Sequence, residues 1–330
     1  MSIDVIKDHD LWDTFVDESP CGMLSHKWNY LKIIERHSHH KLFTYGIYKG
    51  ESLIGIIPIF CKKEFGMNMV FSPPPKTVTP YSGIVMSGEY LNFRQSKRER
   101  YLSYFVDEME KELNSFSPVY RHINLVPSFI DIRAFKWSKY IIQSNYTFIM
   151  NLNDPLEYIY KNFSKDLRNK LRIAEKRNLS FIPGDSLSNL HRMLERRYNE
   201  QNLSIPIISK DYLSDLIKSF PDNIYIYYIV DGNGEVITAT ATQEYKSRFL
   251  DWIGSPKSEN GANEYMEWSL LQQAKLKNYH LFDFVGANNN NISVFKSKFS
   301  PQLQVYFSVS KKNLLGRAVE WSYINFFKKI

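Results

Sequence analysis

A chain of 330 residues is longer than one domain usually runs, so two domains are the natural expectation. With 43% hydrophobic and 23% charged residues it has a globular make-up; no stretch approaches the roughly 18 apolar residues of a membrane span, and the start MSIDVIKDHDLW lacks the apolar run of a secretory signal, so a soluble, cytoplasmic protein is expected. Its only cysteines, Cys21 and Cys61, exclude a disulfide scaffold and lack metal-type spacing, while a formal charge of +7 favours anionic partners such as phosphates, nucleotides, RNA or an acidic membrane without choosing among them.

In chain order, periodicity predicts helices over Val5 to Phe15 and His26 to Arg36, then strands in KLFTYGIYKG, SLIGIIPIFCKK and MNMVFSPPP, the last stopped by Pro73 to Pro75. A polar helix from Asn92 to Leu113, the strand RHINLVPS and a short helix over Ile132 to Lys139 complete the first half. The second half opens with the strand YTFIMNL and a helix marked by Asp154 as N-cap, Pro155 at its first position and Glu157 three residues after the cap. After a short strand, LSFIPG, come helices over Leu187 to Asn199 and Asp211 to Phe220. The strands NIYIYYIVDG, VITATATQEY and RFLDWIGS follow, then a helix over Asn263 to Lys277, the strand HLFDFVG, a helix over Asn291 to Phe299 and the strand LQVYFSVS. Both halves share one order of helices, meander, helix, strand and helix, which implies a structural duplication. The expected boundaries are a first domain over residues 1–142, a second, catalytic domain over 143–312, and an amphipathic tail over 313–330.

That order resembles the GNAT acetyltransferase plan, and two segments sharpen the likeness. SKDLRNKLRIAEKRNLSF (164–181) and the stretch from Gly261 to Phe299, ending FDFVGANNNNISVFKSKF, resemble the FemAB group and the cellulose-biosynthesis-type acetyltransferases. The resemblance implies two tandem GNAT-like α/β domains, each a mixed, mainly antiparallel sheet flanked by helices. It covers the second half by motif and the first only by plan.

Several residues could carry chemistry. On the helix after Pro155, Lys161, Lys165, Arg168, Arg172 and Lys176 recur at three- and four-residue spacing opposite an apolar stripe; such a line is either a solvated face or a phosphate contact. The resemblance assigns substrate phosphates to Arg168 and Arg172. In acetyl-CoA-using relatives the loop reading SPKSENGA here would cradle a pyrophosphate at a helix start, and this chain offers only Asn260, Gly261 and Ala262 there, beside the acidic Glu259. In FDFVG, alternation sets Asp283 on the face opposite Phe282 and Phe284. Phe295-Lys296-Ser297-Lys298-Phe299 is similar to the Phe-Lys-x-Gly-Phe signature of the FemAB group, with Lys298 at the glycine position. The resemblance implies a catalytic Lys296 meeting an oxyanion or donor phosphate, a catalytic Asp283 holding the amine, and Phe295 beside the substrate. Read alone, Lys296 is an ordinary helix lysine reaching solvent.

Arg36-His37-Ser38-His39-His40 closes a helix, where positive side chains suit the dipole, and no metal is expected. In the tail, Leu315, Val319, Tyr323 and Phe327 fall at helical spacing before Lys328 and Lys329, a pattern for packing on the body or for peripheral contact with an anionic membrane. The function expected is an N-acyltransferase moving an acyl or aminoacyl group to an amine of a phosphate-bearing or lipid-linked envelope or polysaccharide precursor. Its donor would be acetyl-CoA or another acyl-CoA, with aminoacyl-tRNA as the alternative, and DNA is not an expected partner. The rival is a degenerate, non-catalytic module binding a glycan precursor or RNA. The cleft between the domains is the expected site, and no general base can be named.

Overall fold

The structure, a computed structural model, describes residues 1–200, 202, 205–254 and 261–316. The chain forms two compact units: Met1–Ser144 together with the chain from Tyr306 onward, and Asn145–Val305. No described helix is long and apolar enough to cross a membrane.

The first unit begins with a strand where a helix was expected. β1 (Ser2–Val5) pairs antiparallel with the later strand Lys41–Lys49, and helix α1 (His9–Glu18) starts only after Asp8, whose carboxylate accepts the N–H groups of Asp10 and Leu11. Helix α2 (Trp28–Ser38) and the meander β2 (Lys41–Lys49), β3 (Ser52–Glu64) and β4 (Met67–Ser72) follow. Next come β5 (Val85–Met86), α3 (Gly88–Leu91), α4 (Gln95–Ser115), β6 (Tyr120–Asn124) and α5 (Arg133–Trp137). Although α4 is polar in composition, its Tyr101, Leu102, Phe105, Val106, Met109 and Leu113 recur at three- and four-residue intervals, and that stripe is buried. β4 runs parallel to β6, Met69 opposite Tyr120 and Ser72 opposite Ile123.

The second unit begins within β7 (Ile141–Asn151). The single helix expected after Asp154 is two, α6 (Leu156–Lys161) and α7 (Lys165–Glu175), and the first begins after Pro155. The break lies at Ser164, whose hydroxyl accepts the Leu167 N–H at 3.2 Å and starts a new helix. β8 (Ser180–Pro183), α8 (Leu187–Glu200), α9 (Lys210–Ser219) and the meander β9 (Ile224–Val230), β10 (Val236–Tyr245) and β11 (Arg248–Gly254) come next. They lead to α10 (Ala262–Leu276), β12 (Leu281–Asp283), α11 (Asn290–Ser297) and β13 (Gln302–Lys312). Residues 306–312 of β13 belong with the first unit: Ser308 to Lys312 pair with Asn124 to Tyr120 of β6.

Within the second unit the strands lie in the order β7-β12-β11-β10-β9-β8. β11 and β12 are parallel, as β4 and β6 are at the same step of the first unit. Their pairing covers only Arg248–Leu250 against Leu281–Asp283. Beyond it β11 continues along β10 to Gly254, whereas the other chain leaves the sheet at Val285 and Gly286, both in the left-handed region (φ 55 and 72). A wedge therefore opens between two parallel strands. On one face, Phe249, Phe282, Phe284 and Phe299 pack with Leu270 and Leu271 of α10 in a core closed to water.

Candidate active site

The wedge is floored by an unusual strand. In β10 the alternation VITATATQEY places Thr238, Thr240, Thr242 and Glu244 on the face that meets α10, all buried, where a sheet under a helix ordinarily carries aliphatic side chains. Each finds a polar partner: Thr238 donates to Asn263 Oδ1 (2.9 Å), Thr240 to Asp251 Oδ1 (3.1 Å), Thr242 to Glu244 Oε1 (3.2 Å), and Glu244 accepts from Lys277 Nζ (2.7 Å).

At the parting of the strands this polar row meets Lys296. Helix α11 delivers the side chain into the wedge, where its ammonium donates to Asp251 Oδ2 of β11 at 2.8 Å and to the carbonyl of Phe284, one residue past β12. Lys296 is 9% exposed, so the reading of a solvent-reaching lysine does not hold; the packed aromatic core beneath α11 turns it inward. Glu267, from the buried face of α10, is the third member, 8% exposed, with no hydrogen-bond partner for its Oε2 among the described residues. Burial pulls the Lys296 pKa down, but the carboxylates of Asp251 and Glu267 outweigh it and hold the ammonium above the usual lysine value. Glu267 is pushed well above the usual carboxylate range, first by burial and then by Asp251 beside it. At the same step of the first unit, β4 ends at Ser72, whose hydroxyl donates to the Pro58 carbonyl (2.6 Å) and accepts the Gly83 N–H (3.1 Å). Only the second unit carries an ammonium with two carboxylates at this point among the described residues.

Asp283 does not join Lys296. Phe282 and Phe284 face the α10 core, so the pleat turns Asp283 to the other side of the sheet, fully buried. There it accepts from Arg248 Nη1 (2.7 Å), Thr147 Oγ1 (2.7 Å) and its neighbour Val285 N–H (3.1 Å). A carboxylate so held fastens β12 to β11 and β7, on the face of the sheet away from the α10 core.

The expected cation line is also divided. Lys161 ends α6, Lys165, Arg168 and Arg172 belong to α7 and Lys176 follows its last residue, and the Arg168 guanidinium turns back to the carbonyls of Lys161 (2.6 Å) and Phe163 (2.8 Å), closing the end of α6. Lys165, Arg172 and Lys176 remain exposed along α7. Phe295 is half-buried, its ring 5.8 Å from that of Phe299. Asn260, and Glu259 beside it, lie outside the described residues. Gly261 and Ala262 are buried, and a Cβ on Gly261 would stand 3.1 Å from the carbonyl oxygen of Lys170. In the first turn of α10 the buried Glu264 carboxylate, paired with Lys170 at 2.8 Å, already occupies the positive end of the helix. The described start of α10 thus presents an acid where a diphosphate would approach, and residues 255–260 before it lie outside the described residues. No group of His, Cys, Asp and Glu among the described residues has the arrangement of a metal site.

Asp251, Glu267 and Thr240 were not singled out from the sequence. Their signals were the alternating threonines of β10, an acid inside the apolar strand RFLDWIG, and a glutamate inside the apolar run MEWSLL.

A meander leading into a parallel pair that parts after three residues is a GNAT-like arrangement. Residues 161–297 match the family model described as Acetyltransferase (GNAT) domain. No curated protein sequence matches the chain. Among solved structures, that of FemX superposes with a TM-score of 0.73 at 11% identity, covering 97% of this chain and 99% of FemX. L-PGS from Bacillus licheniformis does so at 0.54 and 14% identity, over 96% of each chain. A tandem GNAT protein from the clavulanic acid biosynthesis pathway gives 0.53 at 8% identity, over 94% of this chain and 98% of its own. At such identities these likenesses speak for the fold. Residues 161–297 thus carry the match to the GNAT acetyltransferase domain, and the chain as a whole has the tandem GNAT-like fold of these structures.

Proposed function

We propose that the second unit transfers an acyl or aminoacyl group from an activated ester to an amine on a phosphate-bearing precursor of the cell envelope, with Lys296 meeting the oxyanion. One observation carries this reading: the buried ammonium of Lys296 gives two of its three N–H groups to Asp251 and Phe284, and the third has no acceptor among the described residues. The amine attacks the carbonyl carbon, the carbonyl electrons move onto oxygen, and the third N–H donates to that oxygen. As the tetrahedral species collapses, the bond to the leaving oxygen breaks, and the proton given up by the amine balances the leaving group. In a wedge sheltered from water a fixed donor of this kind is worth about 10²–10³ in rate.

The donor follows from the charges. A CoA diphosphate would meet Glu264 at the start of α10, whereas Lys165, Arg172 and Lys176 line an exposed face that suits a polyanion. This favours aminoacyl-tRNA over the acyl thioester expected from the sequence. In calorimetric titrations, charged tRNA is expected to bind with an affinity that falls steeply as salt is raised, and CoA to give no heat; tight CoA binding would refute this choice of donor. For the acceptor, the FemAB resemblance supports an envelope precursor. The tail that suggested membrane contact lies outside the described residues from residue 317 onward, while Leu314 and Leu315 before it are exposed.

A further inference from the structure

The Lys296 cluster holds more acid than base. Asp251 and Glu267 bring two carboxyl groups to one ammonium, and all three side chains are buried. Two ionised carboxylates would leave a net charge of −1 in a place with little water to screen it, and one bound proton removes it. The hydrogen bonds show which acid takes that proton. Asp251 accepts the Lys296 ammonium on Oδ2 at 2.8 Å, the pairing of an ionised carboxylate, and its Oδ1 lies 3.1 Å from the Thr240 hydroxyl, whose single proton it shares with the Ile253 carbonyl, also at 3.1 Å. Glu267 has an oxygen, Oε2, with no partner among the described residues, a far smaller cost for the carbonyl oxygen of a neutral acid than for an anion.

We propose that Glu267 is a positioning residue that stands as the neutral acid beside Asp251, holding the cluster at zero net charge so that Lys296 can meet a developing negative charge. The charged groups that face it are Asp251 from β11 and Lys296 from α11; β10 presents the uncharged Thr240, and Asp283 of β12 acts on Lys296 from the far side of the sheet. Ionisation of Glu267 would leave Lys296 charged but place a net negative charge where the oxyanion must form. Transfer would then fail at alkaline pH because Glu267, not Lys296, loses its proton.

This rests on the proposed transfer only for its kinetic consequence, and the proton itself can be read without turnover. Glu267 binds its proton more tightly in the folded chain than in the unfolded one. The stability it contributes is therefore complete below the unfolded value of about 4.3 and is lost as pH rises through the folded value. Glu267→Gln cannot ionise and escapes that loss. Urea unfolding of both proteins from pH 5 upward is expected to show the wild-type folding constant falling relative to the variant by about tenfold per pH unit until Glu267 ionises. A ratio that does not change with pH overturns the proposal. Infrared spectra of the wild type at pH 7 give a second reading that needs no variant: a carboxylic-acid carbonyl band is expected, and its absence equally overturns the proposal. In turnover, Glu267→Ala is expected to lose transfer and Glu267→Gln to restore it with the alkaline fall moved to higher pH; an unmoved fall counts against Glu267. Absence of any turnover by the wild type would instead speak against the transfer reading, and the unfolding and infrared results would still decide the proton.

Discussion

Lys296→Met is expected to cost about 3–5 kcal/mol of stability, far more than the loss of a surface lysine. Among the described residues the ammonium is the cation that faces both Asp251 and Glu267, and it also ties the carbonyl of Phe284 to α11. Methionine fills much of the same volume but leaves Asp251 an uncompensated buried charge, which must take up a proton or draw in water. The double variant Lys296→Met with Asp251→Asn removes both charges, and should recover a large part of the loss. Urea unfolding of the two single variants and the double decides it: a coupling under about 0.5 kcal/mol, the size seen for independent sites, would show that the pair is in fact open to water.

The second large effect is on the other face of the sheet. Arg248→Met is expected to destabilise the protein by about 3–5 kcal/mol, because Asp283, fully buried, would lose its ion pair with Arg248 while keeping the hydroxyl of Thr147 and the N–H of Val285. If Asp283 serves to hold β12 in register with β11 and β7, the folded fraction of this variant should turn over at close to the wild-type rate. Unfolding and transfer measured on the same preparation separate the two roles. Loss of transfer with stability intact would return Asp283 to the catalytic role expected from the sequence.

These two residues also show what could be read from sequence. The order of elements was legible because each meander strand announces itself by alternation and turn residues, and β10 even displays its buried polar row as alternating threonines. Lys296 was legible through the FKSKF likeness, but its surroundings were not. Asp251 lies 45 residues away on another element, and no local pattern says that a lysine on an eight-residue helix will be turned inward by a packed aromatic core. Asp283 is ambiguous for a physical reason: an acid between two aromatics in a strand reads alike whether it meets a substrate or a partly buried arginine 35 residues earlier. The break between α6 and α7 escaped because the apolar stripe runs through Ser164 without interruption, so periodicity shows one helix where the backbone makes two.

The most direct test of the Lys296 centre is single-turnover transfer by Lys296→Met, with radiolabelled aminoacyl-tRNA and acetyl-CoA offered in parallel to an amine acceptor from an envelope extract. Rates are expressed per folded molecule at a temperature where circular dichroism shows the variant folded. With the donor that the wild type uses, the variant is predicted to be slower by about 10²–10³; transfer at the wild-type rate would contradict the assignment of Lys296 to the oxyanion.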